Sequence, residues 1–115
     1  MDKWMKQNNT DPDLRDCIYE YAAGRGGITM EEICLANGYD ARYKNMAKSQ
    51  DSIGWRWFMD GMVCKEIRGI QNEYSSITRL RCNTLKWGRD IVTRLLEVTH
   101  GQWLYRNVQV HDRIA

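Results

Sequence analysis

The sequence predicts an all-α fold, a small bundle of four to five helices that ends in a long C-terminal helix. Apolar residues recur at spacings of three and four along most of the chain, as they do on one face of a helix. The single proline, Pro12, stands where it can start a helix without interrupting one. No segment alternates apolar and polar residues over a useful length, so no strand is predicted.

Length and composition indicate one domain over residues 1–115. The chain is 43% hydrophobic and 28% charged, which is ordinary for a protein with a single core. The first ten residues could be a loose N-terminal arm, although Trp4 and Met5 could also dock on the core. No apolar run is long enough to span a membrane and no signal peptide is recognisable, so we expect an intracellular protein.

Capping signals place the first two helices. The first begins after Asp11, whose carboxylate can accept hydrogen bonds from free backbone amides, and ends in the glycine-rich segment 24–27. Thr29 and Glu32 form a capping box for a short second helix, which stops at Gly38. Both helices are therefore defined by local signals at each end.

The middle of the chain predicts one long helix. Residues 39–51 are polar and irregular and could be a loop or a marginal helix, after which Ser52 could cap the next helix. Apolar residues then keep helical spacing over residues 53–74. Gly61 and Gly69 fall inside this pattern, and we interpret them as a kink or as points of close helix crossing.

Residues 84–112 predict the longest helix, with a cap at either residues 75–76 or residues 83–84. At about 100° per residue, six apolar side chains share one face: Leu85, Val92, Leu95, Leu96, Trp103 and Val110. We expect Leu95, together with Trp55 of the preceding helix, to lie in the core.

The cysteines indicate core packing. Cys17, Cys34, Cys64 and Cys82 include no pair at the short spacing typical of zinc ligands. We therefore expect no metal site and no cofactor, and interpret the cysteines as small core residues that stay reduced in the cell.

Basic residues gather in the second half of the chain. Residues 1–60 hold 8 Lys and Arg against 10 Asp and Glu, whereas residues 61–115 hold 9 against 5. Five of them, which we call the basic cluster, lie close together in sequence: Arg79, Arg81, Lys86, Arg89 and Arg94. Because arginine binds phosphate through two parallel hydrogen bonds, the cluster could contact the phosphate backbone of RNA or DNA. A solvated helix surface would carry the same charges.

Aromatic residues outside the apolar stripes favour an interaction module. Trp4, Trp57, Trp87 and Tyr105 fall outside them, and tryptophan, tyrosine and arginine are enriched at interfaces. We therefore expect a small helical interaction or dimerisation module. Its partner would be another helical protein or a second copy of the chain, with nucleic acid as a further candidate.

A short motif near the C-terminus offers an enzymatic alternative. Arg106, Asn107 and His111 resemble the Arg-x(4–6)-His motif of the HEPN superfamily, small helical domains that include ribonucleases. The resemblance implies metal-independent RNA cleavage, generally across a dimer: His111 handles the proton of the ribose 2′-hydroxyl, Arg106 stabilises charge on the phosphate, and Asn107 orients the histidine or the RNA. In the structural alternative, Arg106 pairs with an acid such as Asp60 or Glu66 and His111 is solvated.

A broader resemblance covers about half of the chain. Residues 53–66 and 103–107 are similar to an uncharacterised helical region encoded near reverse-transcriptase-like genes of eukaryotic retroelements. The resemblance implies a setting in which nucleic acid is handled, and it implies that the chain could be part of a longer protein.

Overall fold

Residues 2–114 form a bundle of seven helices. The computed structural model describes the backbone of residues 2–114 and the side chains of residues 2–101. In chain order the helices are α1 (Asp2–Gln7), α2 (Pro12–Ala23), α3 (Met30–Asn37), α4 (Ala41–Ile53), α5 (Trp55–Met59), α6 (Lys65–Thr78) and α7 (Thr84–Ile114). No strand occurs in residues 2–114, so the all-α prediction is confirmed, with more helices than the four to five expected.

The N-terminal residues form a docked helix and not a loose arm. Met5 of α1 is fully buried. The ring of Trp4 stacks on the ring of Trp87 in α7, with 6.3 Å between centroids. Trp87 also donates from Nε1 to the hydroxyl oxygen of Thr10 at 2.9 Å. Tryptophan contacts therefore hold the first and last helices together.

The predicted caps of α2 and α3 are confirmed. The carboxylate of Asp11 accepts a hydrogen bond from the amide two residues further on at 3.0 Å, and the hydroxyl of Thr29 accepts from the amide three residues further on at 3.1 Å. Asp51 of α4 adds an unexpected cap, since its carboxylate accepts from the amides of Met30 and Glu31 at 2.8 and 3.0 Å. This negative charge at the positive end of α3 ties α3 to α4.

The polar segment after Gly38 forms a full helix, α4. The carboxylate of Asp40 accepts hydrogen bonds from the amides of Arg42 and Tyr43 at 3.0 and 3.4 Å. The side-chain hydrogen bond from Arg42 also holds the pKa of the Asp40 carboxyl below its usual value. One face of α4 is buried through Tyr43, Met46, Ala47 and Gln50, and its polar residues lie on the outer face.

The single helix predicted over residues 53–74 is wrong, because the chain turns between α5 and α6. Gly61 has a φ of +94° in this turn, a backbone conformation that only glycine adopts easily. Ser52 lies in the last turn of α4 and caps no helix. Trp55, expected in the core, packs against it as a partly buried side chain.

Two fully buried glutamines hold the loops of the bundle in place. Gln50 donates from Nε2 to the carbonyl of Met62 at 3.0 Å and accepts, at Oε1, from the amide of Cys64 at 2.9 Å. Gln71 donates to the carbonyl of Asn9 at 2.9 Å and accepts from the amide of Asp11 at 2.8 Å. Each side chain thereby satisfies backbone groups that no helix pairs.

α7 turns a different face to the core from the one predicted. Leu95 is fully buried as expected, but Leu85 and Leu96 are 66% and 44% exposed. We call the buried set on α7 the core stripe, formed by Trp87, Ile91 and Leu95. We call the exposed or partly exposed set the outer stripe, formed by Leu85, Val92 and Leu96. The side chains of Trp103 and Val110 lie outside the described residues.

Candidate interaction groove

α6 and α7 enclose an open groove beside the outer stripe, with a volume of about 400 Å³. Its apolar lining comes from both sides of the α6–α7 contact: Val63, Trp87, Ile91 and Val92. Its charged lining consists of three exposed cations: Lys65, Arg68 and Arg89. The groove therefore combines an apolar floor with a positive rim.

Gly88 allows the two walls of the groove to approach closely. A Cβ atom at this position would lie 3.1 Å from Cδ of Arg68, so the stem of Arg68 lies directly against the backbone of α7. Within the side chains described, none of Lys65, Arg68 and Arg89 forms a salt bridge. The positive charge of the rim is thus uncompensated by ion pairs there.

The apolar floor continues onto the turn between α5 and α6. Trp57 and Met62 are 59% and 55% exposed in this region, and the amide of Met62 donates to the carbonyl of Trp57 at 2.9 Å. A Cβ atom at Gly61 would lie 2.9 Å from Cγ1 of Val92 and 3.8 Å from Cγ of Leu96. The turn therefore lies against the outer stripe, and the two exposed apolar regions adjoin each other.

Cys64 lines the groove but offers no nucleophile. Burial raises the pKa of its thiol to about 11, so the thiol stays protonated at neutral pH. Cys17 and Cys34 are buried as well, which confirms the core placement of these three cysteines. Among the described residues, no group of three or more His, Cys, Asp or Glu could hold a metal ion.

The structure divides the basic cluster among several places. Arg79 caps the end of α6, and Arg81 lines, with Lys86, a second cavity of about 260 Å³. Arg89 lines the groove. The guanidinium of Arg94 lies 5.8 Å from the ring centre of Trp4 and forms a salt bridge with an acid three residues further on. Contact between this cluster and phosphate stays a prediction.

Lys65 and Arg68 line the groove, although neither was predicted from the sequence as a site residue. Both precede the basic cluster, and the fold brings them to Arg89 through the packing of α6 on α7. A local signal does exist, because residues three apart share one face of a helix. Their position opposite Arg89 could not be read from that spacing.

The candidate catalytic residues Arg106, Asn107 and His111 have side chains outside the described residues. The backbone of α7 is helical through these positions. Catalysis by these residues stays a prediction.

Comparison of the chain with protein families, curated proteins and solved structures finds no match. In the described part of the chain, every helix is too short or too polar to cross a membrane. The function is therefore inferred from the residues of this chain alone.

Proposed function

We propose that the chain is a helical interaction module whose groove and outer stripe bind one amphipathic helix of a partner protein. The main support for this proposal is that α7 has two apolar stripes. The core stripe is buried in the bundle, whereas Leu85 and Leu96 of the outer stripe are exposed, and Leu96 lies against the turn at Gly61. Contiguous apolar surface left in water is typical of an interaction site.

A helix is the element that fits this surface best. The outer stripe follows α7 along its axis, and an amphipathic helix can lay its own apolar face along such a surface. The adjoining groove can accept one of its larger side chains, since pockets of this size hold buried anchors at interfaces. Trp57 and Met62 would then cover the far side of the bound helix.

A second copy of the chain is a poorer occupant of the same surface. A symmetric dimer uses one surface patch on both subunits. Such a dimer would gather Lys65, Arg68 and Arg89 of both copies at one interface, and an excess of like charge disfavours association. The charge of the surface therefore favours a different protein over a symmetric homodimer.

Binding of a neutral helical peptide tests this function. We expect a fluorescent peptide of about 18 residues, with a leucine stripe flanked by glutamines, to bind the wild-type chain. The variant Leu96→Glu should weaken binding at least about tenfold, because it places a charge in the apolar contact. Leu35→Glu changes an exposed leucine of α3 and should leave binding unchanged. Equal binding by both variants would show that the outer stripe is not the docking surface.

The HEPN-like ribonuclease remains a separate prediction from the sequence. Arg106→Ala and His111→Ala should each abolish cleavage of single-stranded RNA, with EDTA having no effect, if that prediction is correct. Full activity of His111→Ala, or absence of activity in the parent chain, would leave the interaction module as the function.

A further inference from the structure

The rim of the groove indicates the charge of the partner. We infer that the groove selects an acidic amphipathic helix, one whose apolar stripe is flanked by aspartate or glutamate. This inference rests on the proposed function, because it specifies the partner of the same surface. It also accounts for the three cations that surround an apolar floor.

The cations stand on both walls of the groove. Lys65 and Arg68 lie three residues apart on α6, and Arg89 lies opposite them on α7. A helix laid along the outer stripe, with one large side chain in the groove, would bring the residues on either side of that anchor close to these cations. Acidic residues there would pair with the cations, and such complementarity favours the correct partner and its encounter.

The groove cations differ from Arg42 and Arg94, which form ion pairs within the molecule. Arg42 forms salt bridges with Asp40 at 3.0 Å and with Glu73 at 2.7 Å. Arg94 forms one with Glu97 at 3.2 Å. Lys65, Arg68 and Arg89 have no such acid among the described side chains. Their charges are available to a partner without breaking an internal pair.

Phosphate would satisfy the same cations, but nucleic acid fits the surface less well. Nucleic acid offers phosphates and base faces, and stacking of bases needs an exposed aromatic ring. Trp87, the aromatic side chain that lines the groove, is buried and already stacked on Trp4, so Trp57 beside the turn is the exposed ring of this surface that could stack on a base. Leu85, Met62 and Leu96 would stay uncovered by phosphate contacts. An acidic helix satisfies both the cations and the apolar side chains.

A series of three peptides tests the inference on the wild-type protein. All share one leucine stripe over about 18 residues and carry glutamate, glutamine or lysine at the flanking positions. At about 50 mM salt we expect the glutamate peptide to bind about tenfold more tightly than the glutamine peptide, and the lysine peptide to bind most weakly. At about 500 mM salt the three affinities should converge, because screening removes the electrostatic contribution.

A pair of matched variants locates the effect in the groove. Arg68→Glu with Arg89→Glu should reverse the preference, so that the lysine peptide binds best. Lys44→Glu with Lys48→Glu makes the same change in charge on the exposed face of α4 and should keep the preference for glutamate. Circular dichroism and thermal unfolding check that both proteins stay folded. If the groove variant fails to fold, the salt series on the wild-type protein still decides the question.

The outcomes separate this inference from the proposed function. Equal binding of the three peptides at low salt would overturn the acidic partner and leave the docking of a helix intact. Failure of all three peptides to bind would overturn both. Binding of single-stranded RNA that the groove variant abolishes, together with no preference among the peptides, would assign the rim to phosphate and overturn the inference.

Discussion

Gly61 determines where the middle of the chain turns. Its φ of +94° is accessible to glycine at little cost, whereas other residues are strained there. The space is closed as well, because Cγ1 of Val92 would lie 2.9 Å from an added Cβ. Gly69, which the sequence placed in the same pattern, has neither constraint: it lies within α6, and an added Cβ would meet nothing within 4 Å.

The two glycines should therefore respond in opposite ways to alanine. Gly61→Ala should lower the free energy of unfolding by about 1–3 kcal/mol through backbone strain and the clash with Val92. Gly69→Ala should raise it by about 0.5–1 kcal/mol, because alanine is the better helix former. Urea denaturation of the two variants measures both effects. Equal values would mean that residue 61 does not adopt the left-handed conformation.

Gln71 should contribute more to stability than its polarity suggests. Its side chain pairs the backbone groups of Asn9 and Asp11, which Gln71→Ala would leave without a partner. We expect a loss of about 1–3 kcal/mol, the usual cost of buried unsatisfied polar groups. Ser76→Ala, at an exposed site on the same helix, should change stability by less than about 0.5 kcal/mol. A loss for Gln71→Ala as small as that of the control would contradict the role of this side chain.

Among the helices, α7 shows what the spacing of apolar residues can predict and what it cannot. The spacing of its apolar residues predicted the helix, but not which of two neighbouring faces would enter the core. Trp87 enters the core through contacts with partners distant in sequence, Thr10 and Trp4. Leu95 is the only described residue of the predicted face that is fully buried.

Alanine substitutions distinguish the two stripes of α7. Leu95→Ala should cost about 2–5 kcal/mol in the free energy of unfolding, because it opens a cavity in the core. Leu85→Ala removes the same atoms from an exposed position and should cost less than about 0.5 kcal/mol. Thermal and chemical unfolding provide the comparison. A larger loss of unfolding free energy for Leu85→Ala than for Leu95→Ala would mean that the face predicted from the sequence is the buried one.

The caps of α2 and α3 could be predicted from local signals, although a signal of the same kind was wrong at Ser52, and the turn and the groove, which need distant contacts, could not be predicted. Asp11 and Thr29 cap their helices through hydrogen bonds to amides two or three residues away, so the sequence contains the whole interaction. The turn before α6 depends on Gln50, whose partners lie twelve and fourteen residues further on. The groove rim likewise joins Lys65 to Arg89 across two helices. Such contacts follow from tertiary packing, which periodicity does not encode.

At the scale of the whole molecule, buried acids should make stability depend on alkaline pH. Burial raises the pKa of Cys64 from 9.0 to about 11 and that of Tyr21 from 10.0 to about 12. The folded protein therefore keeps protons that the unfolded chain releases. Its stability should be fully present below about pH 9 and should fall as the pH rises through 11.

The variant Cys64→Ser isolates one of these groups. Serine does not titrate in this range, so the loss of stability between about pH 9 and 11 should be smaller than in the parent chain. Urea denaturation at a series of pH values measures the difference, and the stability of each protein at pH 7 serves as its own reference. Identical pH profiles would show that the Cys64 thiol is not protected by burial.

The central claim for the whole molecule is that one helix of a partner occupies the outer stripe and the groove. Titration of the isotope-labelled protein with the glutamate-flanked peptide, followed by amide chemical shifts, tests it most directly. We predict shifts at residues 57–68 and 85–96, where the apolar surface and the three cations lie. Tyr19 and Leu35, exposed apolar residues of α2 and α3, should stay unchanged. Shifts centred on Tyr19 and Leu35, or no shifts at saturating peptide, would contradict the claim.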